Sequence, residues 1–401
     1  MNTREFDIVL VGATGFTGQL LAQQLARTAG LRWALAGRNP TKLAAVLAEL
    51  PVGLPAHAPA PTMIVADAHD RPSLDALANR TRVVVSTVGP YAQHGSDLVA
   101  ACAATGTHYC DLTGEVHWVR AMIDAHHAQA QKNGARIVHC CGFDSMPADL
   151  SCWLLQRELR TRGAAPATDV RGYYLDVRGG VSGGTVASMR GIVQAAAKDR
   201  SLRRLLVDPY SLVPGRAGHS RQTELGFAVH RDEHVVTAPF VMAAINTRVV
   251  YRSNALQADA YGRDFRYHEA LAFPLHARGL VNAAAMTAGV FALPVALAVP
   301  ALSKLLDGKL PKSGEGPSER ARQRGHYTLQ VRSTSNAAPM VTFHDDADPG
   351  YGSTAKMLAA AATCLAFDSL DSQPGVITPA VAMGQALVDR LLAAGLTITV
   401  A

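Results

Sequence analysis

The sequence is poor in charged and in aromatic side chains, which excludes several classes of protein. Charged residues make up 17% of the 401-residue chain, aromatic residues 6% and hydrophobic residues 48%. A composition this apolar is unlike that of disordered chains, and a chain of this length is expected to form two domains. The net charge is +6, but lysine and arginine are scattered along the chain. We therefore expect no nucleic-acid partner.

Cysteine is scarce, and its spacing argues against a zinc site. Six cysteines occur, none of them in a C-x-x-C pair, and no histidine stands at zinc-ligand spacing from them. The sequence therefore predicts no bound metal. Unpaired cysteines in apolar surroundings are typical of a reducing compartment. Residues 1–7 contain two acids and no apolar run, so we expect no signal peptide and a cytoplasmic location.

One segment, from Gly279 to Ser303, lacks charge altogether. It is longer than the roughly 20 apolar residues that cross a bilayer, but Asn282, Pro294 and Pro300 interrupt it. Three interpretations stay open: a buried or lipid-covering helical hairpin, attachment to a membrane surface, and a true span. Surface attachment predicts that the protein lies peripherally on the inner face of the plasma membrane.

The first 150 residues alternate strand and helix patterns at the period of βαβ units. The strand patterns cover 6–11, 32–36, 62–66, 82–88, 108–111 and 136–141, and the helix patterns cover 16–27, 40–50, 94–105 and 115–132. A proline-rich loop is expected at 51–61. The alternation predicts an α/β fold in which residues 1–150 form a Rossmann domain with a doubly wound parallel sheet.

After residue 150 the pattern changes to that of a second, α+β domain, over residues 151–349. The strand-like segments are 169–177, 233–256, 264–273 and 325–343, with a polar loop at 307–317. They predict a mixed or antiparallel sheet. Two helix patterns follow at 353–368 and 378–394, and their apolar faces predict that residues 350–401 pack back on the first domain.

A glycine-rich turn follows the first strand directly and opens a helix, which is the context that dinucleotide binding requires. The residues predicted to bind the cofactor there are Gly12, Ala13, Thr14, Gly15, Phe16, Thr17 and Gly18. The first glycine permits a tight turn, the second lets the backbone approach a pyrophosphate, and the third allows close helix packing. The N-terminus of the helix then offers N–H groups to the phosphates. The spacing G-x-x-G-x-x-G favours NADP.

No acid stands at the end of the second strand, where an NAD site places one to bind the ribose 2′-hydroxyl. Arg38 stands there instead, with Lys42 one helical turn later. Arg38 can form a bidentate contact with a 2′-phosphate, and Lys42 can add a second positive charge. The sequence therefore predicts NADP as the cofactor, with NAD as the alternative.

Two further strand ends complete the predicted lining of the cofactor site, because ligands bind at the carboxyl ends of strands in such sheets. Asp67 follows the third strand and is predicted to bind the adenine amino group, with an ordinary surface aspartate as the alternative. The fourth strand ends in four residues that we expect to contact the cofactor: Ser86, Thr87, Val88 and Gly89.

Seven sequence blocks extend over nearly the whole chain. They are VGATGFTG (11–18), AGR (36–38), VGPYAQHG (88–95), THYCDLTGE (107–115), CGFDSMPADL (141–150), SGGT (182–185) and DPGYGSTAKM (348–357). By these blocks the chain resembles the saccharopine dehydrogenase-like oxidoreductases, and especially their trans-acting enoyl reductase branch. The resemblance implies an NAD(P)H-dependent reductase that acts on a C=C bond in a polyketide- or fatty-acyl-type lipid chain.

Two side chains in these blocks are candidates for proton transfer. Tyr91 follows the fourth strand and is a candidate donor near the nicotinamide, with a packed tyrosine that shapes the loop as the alternative. Asp144 follows the sixth strand, and either it or Ser145 is expected over the cleft between the domains. Thr113 is predicted to cap the helix that begins near Val116, with substrate contact as the alternative.

Together these features predict an NADP-dependent oxidoreductase that transfers a hydride to a small-molecule or lipid-like acyl substrate. Segment 279–303 would line a lipid channel or rest on a membrane. Two alternatives stay open: a non-catalytic, lipid-associated scaffold that binds NADP, and a saccharopine-type amino-acid dehydrogenase. The latter acts on charged substrates, and the chain shows no clear cluster of arginine and acid for one. A homodimer is kept as a candidate assembly.

Overall fold

A computed structural model describes residues 4–51, 60–179, 183–215, 226–231, 233–299, 301–303, 316–334 and 338–401. Most of the loops predicted at 51–61 and 307–317 lie outside the described residues, as do Ser182 of the SGGT block and Pro300. The chain divides into two compact units. Unit 1 comprises Met1–Met146, Gly314–Gly316 and Tyr351–Ala394, and unit 2 comprises Pro147–Ser313, Pro317–Gly350 and Gly395–Ala401.

Unit 1 is built on a seven-stranded sheet whose pairings are all parallel. Its strands are β1 (Phe6–Val11), β2 (Trp33–Gly37), β3 (Thr62–Val65), β4 (Thr81–Ser86), β5 (His108–Asp111), β6 (Arg136–Val138) and β13 (Gly375–Ile377), in the order β13-β6-β5-β4-β1-β2-β3. Its helices are α1 (Phe16–Leu25), α2 (Pro40–Ala48), α3 (Arg71–Arg80), α4 (Tyr91–His94), α5 (Ser96–Thr105), α6 (Val116–Asn133), α13 (Thr354–Phe367) and α14 (Pro379–Ala393). The predicted Rossmann arrangement is confirmed.

The strand order places the cofactor site. β1 pairs with β2 on one side and with β4 on the other, so the chain reverses its direction of winding beside β1. In open α/β sheets, ligands bind outside the carboxyl ends of the strands at such a reversal. All six residues of β1 are buried, which explains why its sequence is a nearly continuous apolar run.

Unit 2 contains a second seven-stranded sheet in which β7 and β10 pair in parallel and the other pairs are antiparallel. Its strands are β7 (Asp169–Arg178), β8 (Ala228–His230), β9 (Val235–Pro239), β10 (Arg266–Pro274), β11 (His326–Ser333), β12 (Met340–Asp345) and β14 (Thr397–Val400), in the order β14-β12-β11-β7-β10-β9-β8. Its helices are α7 (Met146–Thr161), α8 (Gly183–Lys198), α9 (Arg200–Val207), α10 (Ala243–Leu256), α11 (Ala277–Ala298) and α12 (Glu319–Gln323). The predicted mixed sheet is confirmed.

The strand pattern predicted over 233–256 is wrong for its second half. The segment contains β9 and then helix α10, which is buried on nearly all sides. A helix that is buried all round shows no apolar stripe at the helical period. Its β-branched residues, among them Ile245, Val249 and Val250, favoured a strand instead.

The C-terminal segment contributes to both units. Helix α13 packs against α1, β1, β4 and β5, and β13 extends the edge of the first sheet. The last strand, β14, pairs with β12 in the second sheet. Residues 395–401 therefore depart from the prediction that the whole segment 350–401 packs on the first domain.

Most of the uncharged segment lies in helix α11, which ends at Ala298, and residues 301–303 are helical again. α11 continues through Pro294 and packs on α8, β9 and β10. Among the described residues, the part Ala277–Leu297 is the one helix that is long and apolar enough to cross a membrane, yet only 11% of its most apolar stretch is buried. α11 is therefore not a buried helix, and a lipid-covering hairpin, attachment to a membrane surface and a span stay predictions.

Candidate functional site

The turn between β1 and α1 is shaped by glycines that leave a cradle at the carboxyl edge of the sheet. Gly12 has a φ of +90°, and a Cβ there would lie 2.7 Å from Val88 Cγ2 and 2.8 Å from Thr87 Oγ1. A Cβ on Gly18 would collide with the Gly12 carbonyl oxygen. The Gly15 N–H donates to that same oxygen at 3.0 Å and closes the turn. Side chains at Gly12 and Gly18 would therefore disrupt this tight turn, whose backbone holds the pyrophosphate in dinucleotide-binding folds.

The end of β4 is hydrogen-bonded to this turn. The Thr87 N–H donates to the Val11 carbonyl at 3.0 Å, and the Thr87 hydroxyl donates to the Gly12 carbonyl at 3.1 Å. The Val88 N–H donates to the buried Ser86 hydroxyl at 3.3 Å. The structure thus brings the predicted residues of β4 against the glycine turn. No acidic residue lies in the first turn of α1, a fully described helix, so its positive N-terminal end suits an anion.

The end of β2 presents the two predicted cations. Arg38 and Lys42 are both exposed, and the ion pairs found in the described part of the chain include neither of them. The Asn39 side chain caps α2 by accepting a hydrogen bond from the Lys42 N–H at 3.0 Å. Their charges are therefore available to a 2′-phosphate.

Two histidines that the sequence interpretation missed lie close to these groups. His69 Nε2 and His94 Nδ1 are 2.9 Å apart, and the rings meet edge to face. Burial, and then the charges of His69 and Arg38, lower the pKa of His94, whereas Asp67 opposes this shift. Asp67 also accepts the His69 N–H at 3.0 Å. The ends of β2, β3 and β4 thus bring Arg38, Asp67 and the histidine pair together.

Tyr91 lies inside the fold. Its hydroxyl donates to the Ser86 carbonyl at 3.0 Å, and its ring stacks on Trp118 with centroids 5.3 Å apart. Burial raises the pKa of Tyr91 well above its ordinary value. The Glu115 carboxylate accepts two backbone N–H groups at the start of α4, each at 2.9 Å. This geometry supports the packed-tyrosine alternative, and a proton-donor role for Tyr91 stays a prediction.

The predicted cap at Thr113 is displaced. Helix α6 begins at Val116, so Glu115 occupies the N-cap position. The Thr113 hydroxyl accepts the Glu115 N–H at 3.1 Å. Thr113 therefore shapes the turn before the helix instead of capping it.

A second pair that was missed supports the turn after β6. The buried Asp111 carboxylate lies 2.7 Å from His139 Nδ1 and accepts the Cys140 N–H at 3.2 Å. Cys140 has a φ of +64°, a left-handed conformation that a side chain with a Cβ rarely adopts. The Cys141 N–H donates to the Asp111 carbonyl at 2.7 Å. Asp111 therefore fixes the backbone that leads to Asp144.

Asp144 differs electrostatically from an ordinary surface aspartate. It is half-buried, and burial raises the pKa of its carboxyl group to about 7. Among the described residues no hydrogen bond or ion pair to this carboxylate is found. The neighbouring backbone is held in place because the Phe143 N–H donates to the Thr354 hydroxyl at 3.1 Å. A carboxyl group with this pKa is matched to general acid chemistry near neutral pH.

Neither a metal site nor an exposed thiol is found in the described part of the chain. Over the described ranges of the chain, no group of three or more His, Cys, Asp or Glu residues could hold a metal ion. All six cysteines are buried, and none of them forms a disulfide. The thiols are thus packed side chains in this fold.

Similarity to known proteins agrees with this geometry. Residues 8–138 match the family model described as the saccharopine dehydrogenase NADP binding domain. The chain is 43% identical over 418 residues to a trans-acting enoyl reductase of Mycobacterium leprae, covering 98% of this chain and 97% of the relative. It is 40% identical over 420 residues to a trans-acting enoyl reductase of Mycobacterium ulcerans, covering 99% of this chain and 98% of the relative.

One solved structure shows the fold. The apo histidine-tagged saccharopine dehydrogenase (L-Glu forming) of Saccharomyces cerevisiae matches with a TM-score of 0.52 at 14% identity, covering 98% of this chain and 99% of that chain. The NADP-binding family model confirms the predicted cofactor, and the glycine cradle fits it. The chain therefore belongs to the trans-acting enoyl reductase family of saccharopine dehydrogenase-like, NADP-dependent oxidoreductases.

Proposed function

We propose that the protein reduces a C=C bond in a polyketide- or fatty-acyl-type lipid intermediate. Two full-length relatives named as trans-acting enoyl reductases support this reaction. The structural observation that carries it is Asp144, a half-buried carboxyl group with a pKa of about 7 just beyond the end of β6. Asp144 follows β6, and the glycine turn follows β1. The acid and the cofactor site are therefore both at strand ends of the first sheet.

NADPH, when bound, supplies a hydride. The residues of this chain that would hold it fall into two sets. The backbone of the turn and of the β4 end would contact the pyrophosphate and ribose: Gly12, Ala13, Thr14, Gly15, Phe16, Thr17, Gly18, Ser86, Thr87, Val88 and Gly89. The second set would hold the adenosine end: Arg38 and Lys42 through the 2′-phosphate, and Asp67 through the adenine amino group.

Reduction of an enoyl thioester requires a proton as well as a hydride, since one hydrogen is added to each carbon of the double bond. Burial raises the pKa of Asp144 to about 7, so the half-buried residue carries a proton in a large share of molecules at neutral pH. The Tyr91 hydroxyl already donates to the Ser86 carbonyl inside the fold. We therefore assign the proton to Asp144 and a structural role to Tyr91.

The reaction is tested with purified protein, NADPH and α,β-unsaturated acyl thioesters of increasing chain length in a stopped-flow spectrophotometer. We expect NADPH oxidation that is faster with longer chains, and none with the matching saturated thioesters. A parallel assay with lysine and a 2-keto acid tests the alternative of a saccharopine-type dehydrogenase, and we expect no turnover in it. Tight NADPH binding without oxidation of any substrate would contradict the reductase and favour the scaffold.

The histidine pair predicts that NADPH binding weakens as the pH rises. A 2′-phosphate beside Arg38 would raise the pKa of His94, so binding takes up a proton and affinity falls as the pH rises through that pKa. Because the 2′-phosphate itself gains negative charge at about pH 6, the contribution of His94 is measured against a variant. Between about pH 5 and 7 we expect the Kd for NADPH to rise about three- to tenfold more in the wild type than in His94→Gln. The measurement is calorimetric titration across pH, and parallel profiles for the two proteins contradict the prediction.

We also propose that the protein lies in the cytoplasm and touches the inner face of the plasma membrane through segment 279–303. The exposure of α11 supports this contact, because a long apolar helix in water is unfavourable. Flotation of the full-length protein with lipid vesicles is the test, and we expect it to rise with them. A homodimer would cover the same helix with a second copy. A stable dimer that stays at the bottom of the gradient would replace the membrane contact.

A further inference from the structure

The outer face of α11 is apolar over most of its length, beyond the exposed Arg278 and Asn282 near its start. Val281, Phe291 and Val295 are 66%, 67% and 61% exposed, and the intervening exposed positions are mostly alanine. The opposite side of the helix packs on α8, β9 and β10, so the helix lies along the surface of unit 2. A helix held in this way meets a bilayer side-on and does not cross it.

The helices beside this face are basic. α8 packs on α11, and α9 packs on α8. No Asp or Glu occurs between Asp176 and Asp199, or between Glu269 and Asp307. The three helices carry six cations: Arg190, Lys198, Arg200, Arg203, Arg204 and Arg278. The surface is therefore positive as well as apolar.

The arginines of α9 are not neutralised by carboxylates. Arg200, Arg203 and Arg204 are exposed, and none of them takes part in an ion pair within the described part of the chain. The carboxylates of the two acids that flank the helix accept hydrogen bonds from backbone N–H groups. Asp199 accepts the Ser201 N–H at 2.7 Å, and Asp208 accepts the Tyr210 N–H at 2.9 Å. The Arg203 guanidinium donates to the Ala196 and Ala197 carbonyls at 2.6 and 3.3 Å. Arg200 and Arg204 are therefore the exposed cations of α9 that a headgroup can bind.

We infer that α8, α9 and α11 form one surface that binds an anionic bilayer. α11 lies among the outer parts of the acyl chains, and the α9 arginines bind anionic headgroups. The inference rests on the membrane contact proposed above. It adds that the bilayer is anionic and that the arginines of α9 take part in the contact. A bilayer matches both features at once, since its acyl chains meet the apolar helix and its headgroups meet the arginines. A soluble acidic partner would leave the apolar side chains of α11 without a counterpart.

The experiment is cosedimentation of the full-length protein with vesicles of phosphatidylcholine alone, or of phosphatidylcholine mixed with phosphatidylglycerol. We expect much stronger binding to the mixed vesicles, and a fall in that binding as salt is added. Arg200→Gln with Arg204→Gln should weaken binding to mixed vesicles about 30-fold and leave the weak binding to neutral vesicles unchanged. The matched control, Arg27→Gln with Arg324→Gln, removes the same charge from exposed positions elsewhere and should change nothing.

A second variant pair separates this inference from the membrane contact on which it rests. Phe291→Asp with Val295→Asp should abolish binding to both kinds of vesicle, while Leu392→Asp, at an exposed apolar position of α14, should not. Thermal melting and NADPH titration verify that each variant is folded. Equal binding of the wild type to both vesicles overturns the anionic surface and leaves the membrane contact standing. No binding to either overturns both, and a dimer that Phe291→Asp dissociates then identifies a second copy as the occupant.

Discussion

Replacing Asp144 by asparagine is expected to lower kcat with an α,β-unsaturated acyl thioester by about 100- to 10,000-fold, the range that general acids contribute. Asparagine keeps the size and polarity of the side chain but cannot deliver a proton. Because Asp144 lies outside the residues assigned to the cofactor, the Kd for NADPH should not change. Steady-state kinetics and NADPH titration of the same preparation measure the two quantities separately.

The pH profile tests the same assignment independently. The acid acts only when protonated, and burial raises its pKa to about 7, so kcat/KM of the wild type should fall about tenfold per pH unit above that value. The residual activity of Asp144→Asn should lack this decline. The free energy of unfolding should depend on pH in the same direction. Because the Asp144 pKa is raised from about 4 in the unfolded chain to about 7 in the folded protein, Asp144 stabilises the fold below about pH 4, and this contribution is lost as the pH rises to about 7. The Tm of the wild type relative to Asp144→Asn should fall over that range.

Asp97→Asn is the matched control for this prediction. Asp97 is an exposed aspartate in the first turn of α5, within the same unit. Its substitution should leave both kcat and the pH profile unchanged. Full activity in Asp144→Asn, or an alkaline decline that persists there, would assign the proton to another group.

Replacing Arg38 by glutamate is expected to raise the Kd for NADPH about 100-fold. A hydrogen bond from a charged donor contributes about 1.5 to 3 kcal/mol, and the new carboxylate would also repel the 2′-phosphate. The same substitution recreates the acid that NAD sites place at the end of the second strand. Binding of NADH should therefore stay equal or improve. Calorimetric titration with both cofactors gives the ratio of the Kd for NADPH to the Kd for NADH, which tests the prediction.

The control for Arg38 is Arg27→Glu, which changes the net charge equally at an exposed position after α1. It should alter neither Kd. If Arg38→Glu weakens the binding of NADPH and the binding of NADH to the same extent, Arg38 supports the fold of the strand end and does not recognise the phosphate. A smaller effect from Lys42→Gln is consistent with its role as a second, more mobile charge.

The sequence predicted the first sheet well because local signals there agree with one another. β1 is buried on both faces and reads as a continuous apolar run, and the glycine spacing after it follows from contacts within a few residues. Helix α10 shows the opposite case. Its surroundings bury it on nearly all sides, so its sequence carries no stripe at the helical period.

The sequence predicted those site residues that can be recognised singly, by their chemistry and their place after a strand. It missed the pairs whose partners come from two different strands. Arg38 and Asp144 each follow a strand and could be identified singly. His69 and His94 stand 25 positions apart and meet only because β3 and β4 end at the same edge of the sheet. Asp111 ends β5 and His139 follows β6, so this pair also depends on which two strands are neighbours in the sheet.

The path of the chain through its two units has a consequence for synthesis on the ribosome. When residue 146 has emerged, β1 to β6 are present, but helix α13 and strand β13 have not been made. The face of the nascent sheet that α13 covers, over β1, β4 and β5, stays open until the last tenth of the chain is translated. The second sheet is likewise incomplete until β14, which follows α13 and β13, has been made. The two units therefore complete their folding together, after residues 354–400 have emerged, rather than one domain after the other.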